Sequence, residues 1–224
     1  MRGKSSDLIM DYITNLYASK NPGMDSILKR LEEQGQLGIN IGIVEARLIQ
    51  ILIRLSQAKK IVECGTLFGY STVCMAQAVE KGAQIYTIEK NLEAANQARK
   101  SFKDCGVEDK ITLLVGEVDE KLGELSNLAP FDMIFIDHNK AGYLSALKWA
   151  EQNIRKGGLI IADNTLLFGH VVSDQSQGPK VSSAQREGMR NFNLELSNPK
   201  KFTSILLPTS EGLSIALNGS SDAC

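Results

Sequence analysis

The chain has 224 residues, 43% hydrophobic and 23% charged, with a formal net charge of -1. That is enough chain to bury one large core, and the near-neutral balance argues against a general nucleic-acid binder. No apolar run is long enough to cross a bilayer and residues 1–20 lack the apolar stretch of a secretion signal, so the expectation is a cytoplasmic protein with no membrane partner.

Residues 8–19 and 24–33 show helical spacing, with Asn21-Pro22-Gly23 as a breaker between them. Residues 36–40 read as a loop and 45–56 as a further helix. From Lys60 short apolar runs alternate with helical patterns. Strands are predicted at 61–63, 84–89, 111–115, 131–137 and 159–162, and helices at 70–80, 92–105, 120–128 and 143–154. Such alternation predicts a mostly parallel sheet with helices on both faces. Residues 173–183 are polar and read as a long loop near the functional edge. Residues 202–207 and 213–217 read as two strands joined by a link too short for a parallel crossover, so the last strand runs antiparallel.

The expected fold is therefore α/β: a doubly wound, mostly parallel seven-stranded sheet with an antiparallel C-terminal hairpin strand. The expected division is a helical segment at 1–40, the sheet domain at 41–218 and a tail at 219–224. Cys64, Cys74, Cys105 and Cys224 have no Cys-x-x-Cys spacing and read as free thiols. Two histidines, His138 and His170, argue against a histidine-rich metal site.

Three motifs fall at strand ends, where open α/β sheets bind ligands. Glu63-Cys64-Gly65-Thr66-Leu67-Phe68-Gly69-Tyr70-Ser71 joins the first strand of the alternating region to its helix. Its Gly-x-x-x-Gly spacing differs from the pyrophosphate cradle of dinucleotide enzymes, and a cofactor without a phosphate needs no such cradle. The bland alternative is a tight strand-to-helix turn. Glu89 ends the next strand, where a carboxylate can accept from both ribose hydroxyls of an adenosine; alone it could equally be a solvated strand-end acid. Residues 131–140 deliver Asp137, His138 and Lys140 to the same edge, and the following strand delivers Asp163 and Asn164. Two carboxylates and an amide suit a hard cation such as Mg²⁺, although Asp-Asn also serves as a turn.

Together these motifs resemble those of the cation-dependent class I O-methyltransferases, the family of caffeoyl-CoA and catechol O-methyltransferases, from about Ile41 to Leu217. The carriers are Glu63-x-Gly65-x-x-x-Gly69-Tyr70-Ser71, Asp137-His138-x-Lys140, Asp163-Asn164-Thr165-Leu166, and Leu206-Leu207-Pro208 with Glu211-Gly212-Leu213. The resemblance implies a Rossmann-like methyltransferase domain whose S-adenosylmethionine pocket is lined by Ile41, Glu63, Gly65, Thr66, Ser71, Glu89 and Val118. It also implies that Tyr70, Asp137 and His138 lie against that pocket. Asp137, Asp163 and Asn164 would hold a divalent metal (Mg²⁺, with Mn²⁺ and Ca²⁺ as alternatives). Lys140 would be the catalytic base beside Asp137, and the acceptor would be a small aromatic diol.

Phe168 stands where plant members commonly carry a polar substrate contact, which marks it as an acceptor-side residue together with Lys140. Glu211 replaces a commoner aspartate, and a CoA-thioester acceptor is not carried over. The resemblance further implies a homodimer, with the N-terminal helices as its candidate interface. The competing readings are a metal-independent methyltransferase of another small molecule, RNA or protein, and a non-catalytic adenosine-binding module.

Overall fold

The computed structural model describes residues 3–17, 21–173, 180–209 and 211–220. Parts of the expected 8–19 helix, 173–183 loop and 219–224 tail, with Cys224, lie outside the described residues. Three helices come first: α1 (Gly3–Tyr17), α2 (Pro22–Glu33) and α3 (Ile43–Ser56). Asn21 caps α2 through its side chain, with Pro22 at the first helical position, where a missing N–H costs nothing. The alternating region follows: β1 (Lys60–Cys64), α4 (Tyr70–Ala78), β2 (Gln84–Glu89), α5 (Leu92–Asp104), β3 (Ile111–Val115), α6 (Val118–Leu125), β4 (Phe131–Ile136), α7 (Tyr143–Asn153) and β5 (Ile154–Ala162). The chain then forms α8 (Ser183–Leu196) and closes with β6 (Phe202–Leu207) and β7 (Leu213–Asn218).

The seven strands lie in the order β3-β2-β1-β4-β5-β7-β6. β1 pairs in parallel with both β2 and β4, so the winding reverses at β1, and the ends of β1 and β4 flank a switch-point crevice. β7 inserts antiparallel between β5 and β6. Ile134, Phe135 and Ile136 of β4 are completely buried, as expected where helices cover both faces. One core cluster joins the sheet to α2–α5 through Ile27, Ile49, Val73 and Phe102. The other joins it to α6–α8 through Leu122, Leu147 and Phe192.

Two features differ from the sequence expectation. α8 had no predicted counterpart. Its start carries a reciprocal capping box between Ser182 and Gln185, and its Met189, Phe192 and Leu196 are buried. β5 begins five residues earlier than expected, at Ile154, and its register with β4 shifts between Phe131 and Met133.

α1 contributes little to either cluster and leaves Leu8, Tyr12 and Leu16 exposed. α2 is held firmly. Arg30 donates to Ser101 Oγ at 2.7 Å and to Asp104 Oδ2 at 3.3 Å, tying α2 to α5 and placing residues 38–41 over the crevice. Among the described residues no helix is long and apolar enough to cross a membrane.

Candidate active site

The crevice is a cavity of about 730 Å³. Its first wall is the loop after β1. Gly65 has φ +98°, and a Cβ there would sit 1.9 Å from the Asp137 carbonyl oxygen, so only glycine lets the β1 and β4 ends approach this closely. The loop is pinned from both sides: Gly65 N donates to Ile88 O at 3.0 Å, and Asp137 N donates to Cys64 O at 2.8 Å.

Glu89 reaches the cavity with both carboxylate oxygens oriented. Oε2 accepts from Leu67 N at 2.9 Å and Oε1 from Asn91 N at 2.8 Å, which leaves one lone pair on each oxygen for further donors. Gly65, Thr66, Tyr70 and Ser71 line this wall with Glu89. Ile41, Val118 and His138 line the cavity as well. Burial pushes the Tyr70 phenol up to about 12.

Glu63 lies outside the lining. It is completely buried beneath the loop, and Ser71 (2.5 Å), Thr87 (2.6 Å) and Thr72 all donate hydroxyl hydrogens to it. Burial raises its pKa to about 7 despite these donors, and the Asp137 charge adds to the rise. The geometry makes Glu63 a support of the loop.

The second wall comes from the ends of β4 and β5. Lys140 donates to Asp137 Oδ1 at 2.9 Å and to the Tyr143 hydroxyl at 2.8 Å. Asp163 is nearly buried and, like Glu63, does not line the cavity. Asn164, next to it, does, with φ +56°. The link between β6 and β7 folds back here: Thr165 N donates to Gly212 O at 2.9 Å and Leu166 N to Glu211 O at 2.8 Å. This brings the Glu211 side chain onto Asn164, whose amide donates to Glu211 Oε2.

The Asp163 carboxyl is held well above the usual carboxylate range, by burial first and by the Asp137 charge second. Glu211 is raised by the same two causes. The Asp137 charge thus reaches both Asp163 and Glu211, and the Lys140 ammonium offsets it only in part at each. That imbalance and the all-oxygen donors fit a hard divalent cation held by Asp137, Asp163 and Asn164. Among the described residues no three His, Cys, Asp or Glu side chains form a metal-binding group, so this set depends on the Asn164 amide.

His138 leans on the Tyr143 ring with centroids 5.3 Å apart, and its Nε2 is buried without a partner. Burial, then the Lys140 charge, lowers its pKa to about 4, so it is a neutral ring at physiological pH.

Phe168 lines the cavity, and so do the apolar residues Leu31, Ile39 and Val181, which the sequence had not singled out. Glu117 and Asp119 at the start of α6 were also missed. The only local signal for them is their place beside Val118, just past the end of β3.

A family model described as O-methyltransferase matches residues 18–218. The catechol O-methyltransferase of Niastella koreensis is 33% identical over 188 residues, covering 83% of this chain and 85% of that protein. The caffeoyl-CoA O-methyltransferase of Populus kitakamiensis is 30% identical over 203 residues, covering 86% of each. The structure of TomG, an O-methyltransferase of Streptomyces achromogenes involved in tomaymycin synthesis and solved with S-adenosylmethionine, is similar with a TM-score of 0.87. Its identity is 26%, over 98% of this chain and 100% of that one.

Proposed function

The chain belongs to the O-methyltransferase family and is an S-adenosylmethionine-dependent enzyme, and from that premise we propose that it methylates one hydroxyl of a vicinal aromatic diol with the help of a divalent cation. The observation that carries this reading is the meeting of Asp137, Lys140, Asn164 and Glu211 in the lining of one cavity, together with the Gly65 loop and Glu89. Oxygen donors gathered at one point, beside an apolar wall, suit a flat ring bearing two adjacent oxygens. Both acceptors named for the relatives, catechol and the caffeoyl group, carry such a pair.

When bound, S-adenosylmethionine supplies a methyl group activated on a sulfonium, and the cation supplies positive charge beside the acceptor oxygens. Glu89 would accept from the ribose hydroxyls, while Ile41, Val118 and neutral His138 would pack around the adenosine. Asp137, Asp163 and Asn164 would hold the cation. Lys140 Nζ, in its neutral form, would take the proton of the acceptor hydroxyl and leave that oxygen anionic. Free thiols at Cys64, Cys74 and Cys105 support a reducing, cytoplasmic setting. The exposed apolar residues Leu8, Tyr12 and Leu16 of α1, with Ile51 and Leu55 of α3, support a homodimer through this face.

The test is methylation of catechol with and without chelator. EDTA abolishes it, Mg²⁺ or Mn²⁺ restores it, and Ca²⁺ restores less because its ligands sit at longer distances. Asp163→Ala mimics chelation while S-adenosylmethionine still binds in calorimetry. Full activity of a metal-free preparation in EDTA would favour the metal-independent methyltransferase instead.

A further inference from the structure

The start of α8 bounds one end of the cavity. Asn193 Nδ2 donates to Thr165 O at 2.8 Å and Arg190 Nε to Val171 O at 2.8 Å, which fastens α8 to the segment bearing Phe168. Farther back along α8, Gly188 packs on the segment after β4, where an added Cβ would meet the Lys140 carbonyl oxygen at 3.3 Å. A helix rises about 1.5 Å per residue, so Gln185 stands roughly 4.5 Å before Gly188 along the axis. Val181 and Lys180 precede it in the chain. Phe168, Lys180, Val181 and Gln185 all line the cavity. Glu89, by contrast, ends β2 on the other side of β1.

The chemistry of this end is one-sided. Gln185 Oε1 already accepts from Ser182 N at 2.9 Å in the capping box, so the group it has left to offer is its amide NH₂. Lys180 forms no ion pair or hydrogen bond with the described residues, whereas the Lys140 ammonium is paired with Asp137. The carboxylates of the lining, Glu89, Glu117, Asp119, Asp137 and Glu211, come from the ends of β2, β3 and β4 and from the β6–β7 link. The described lining residues between 167 and 185 include no carboxylate. This end therefore offers a cation and an amide donor beside the apolar surface of Phe168 and Val181, and it lacks the anion that would match them.

We propose that Lys180 is a specificity residue: it pairs with a carboxylate carried on the ring of the aromatic diol, with the Gln185 amide as second donor, so that dihydroxyaryl acids are the favoured acceptors. This inference rests on the diol reading given above. The two hydroxyls lie toward Asp137 and Asn164, the ring against Phe168 and Val181, and the acid group at Lys180. Lys180 is exposed, so the pair is open to solvent, modest in strength and screened by salt. It acts on acceptor binding and leaves the chemical step alone.

The experiment compares 3,4-dihydroxybenzoate with 3,4-dihydroxybenzamide, which has nearly the same shape and no charge, and with catechol. The acid and the amide differ in the acidity of their hydroxyls, so the readout is how substitution changes the ratio of their kcat/KM values. Lys180→Met lowers the acid-to-amide ratio by about three- to tenfold, between the scale of a screened surface pair and that of a hydrogen bond to a charged group. The loss appears as a higher KM for the acid, while kcat/KM on the amide and on catechol stays within about twofold of wild type. Lys180→Arg keeps the wild-type ratio, and Lys180→Glu lowers it further than Lys180→Met does. Added KCl narrows the ratio in wild type and leaves it unchanged in Lys180→Met. Calorimetric titration of 3,4-dihydroxybenzoate, with S-adenosylhomocysteine and Mg²⁺ present, shows the same weakening without turnover. An unchanged ratio in Lys180→Met, or equal losses on all three acceptors, would overturn the proposal. A wild-type protein that methylates none of the three overturns the diol reading, and this inference with it; an active wild type whose ratio does not respond to Lys180 overturns the inference alone.

Discussion

On the β1–β2 side of the cavity, Glu63 is buried with three hydroxyl donors, Glu89 is oriented by two backbone amides, and the loop closes on itself through Gly69 N and Thr66 O at 2.8 Å. On the β4–β5 side, burial and the Asp137 charge hold the carboxyls of Asp163 and Glu211 above their usual range, with Lys140 a cation beside them. Backbone strain divides similarly. Asn164, Leu167 and Phe168 all have φ near +50°, against Leu67 on the other side. The β1–β2 side, proposed for the cofactor, is satisfied within the chain, whereas the β4–β5 side, proposed for the acceptor, keeps crowded carboxylates and strained backbone. Strained and electrostatically frustrated segments of this kind cluster where catalysis occurs. Substitutions on the acceptor side should therefore act on turnover, and those on the cofactor side on affinity or stability.

The largest effect expected from this contrast is that of Lys140→Met. Removing the base lowers turnover on catechol by about a hundredfold or more, the usual contribution of general base catalysis. S-adenosylmethionine affinity should change by less than about twofold, since the proposed role of Lys140 is toward the acceptor. Turnover that stays near wild type at saturating acceptor across the pH range would remove Lys140 from the mechanism.

Glu89→Ala tests the opposite side. Loss of a charged acceptor weakens S-adenosylmethionine by roughly 1.5–3 kcal/mol, read by calorimetry. Part of that loss comes from the freed Leu67 and Asn91 amides. Glu89→Gln, which keeps one acceptor oxygen, should lose less. An unchanged affinity in a folded Glu89→Ala protein would take Glu89 out of the ribose site.

Glu63 gives a third contrast, in stability. Its pKa is raised when folded, to about 7, so the folded state holds the proton more tightly than the unfolded chain does. Its favourable contribution is complete below the unfolded value near 4.5 and is lost as pH rises through about 7. Each tenfold difference in proton affinity between the two states is worth about 1.4 kcal/mol, so wild type should lose roughly 1–3 kcal/mol more stability between about pH 5 and 8 than Glu63→Gln does. Urea midpoints at the two pH values measure it, and equal losses in both proteins would mean that Glu63 ionises normally.

The strand-end chemistry was legible in the sequence because each chemical side chain closes or directly follows an apolar run: Glu89 at the end of β2, Asp137 after β4, Asp163 after β5. Glu63 sits within such a run, and spacing alone could not distinguish a residue facing the cofactor from one buried beneath its loop. α8 escaped notice because its helical surface is mostly polar; only Met189, Phe192 and Leu196 are buried, and the Ser182–Gln185 cap was the available signal. The early start of β5 was hidden by Arg155-Lys156-Gly157-Gly158, a polar, glycine-containing stretch that does not look like a strand. Leu31 and Ile39 read as an ordinary helix and loop. Their place on the cavity wall depends on how α2 docks against α5, a tertiary contact made through Arg30.

Phe168 should give the smallest effect and the sharpest test of the division between the two sides. It lines the cavity with φ +53°, a conformation that disfavours bulky side chains and is better tolerated by asparagine. Phe168→Asn therefore exchanges an apolar contact for a polar one while easing the backbone. The two effects oppose each other in stability, and the net change should be within about 1 kcal/mol. Acceptor preference has no such offset, because the ring of a bound diol meets Phe168 and not its backbone. The relative kcat/KM of catechols with apolar and polar ring substituents should shift severalfold toward the polar ones, as expected for a change in one pocket contact worth about 1 kcal/mol. Affinity for S-adenosylmethionine should stay as in wild type. A variant whose acceptor profile is unchanged while cofactor affinity falls would put Phe168 on the wrong side of the cavity, and the division between the two walls would have to be redrawn around it.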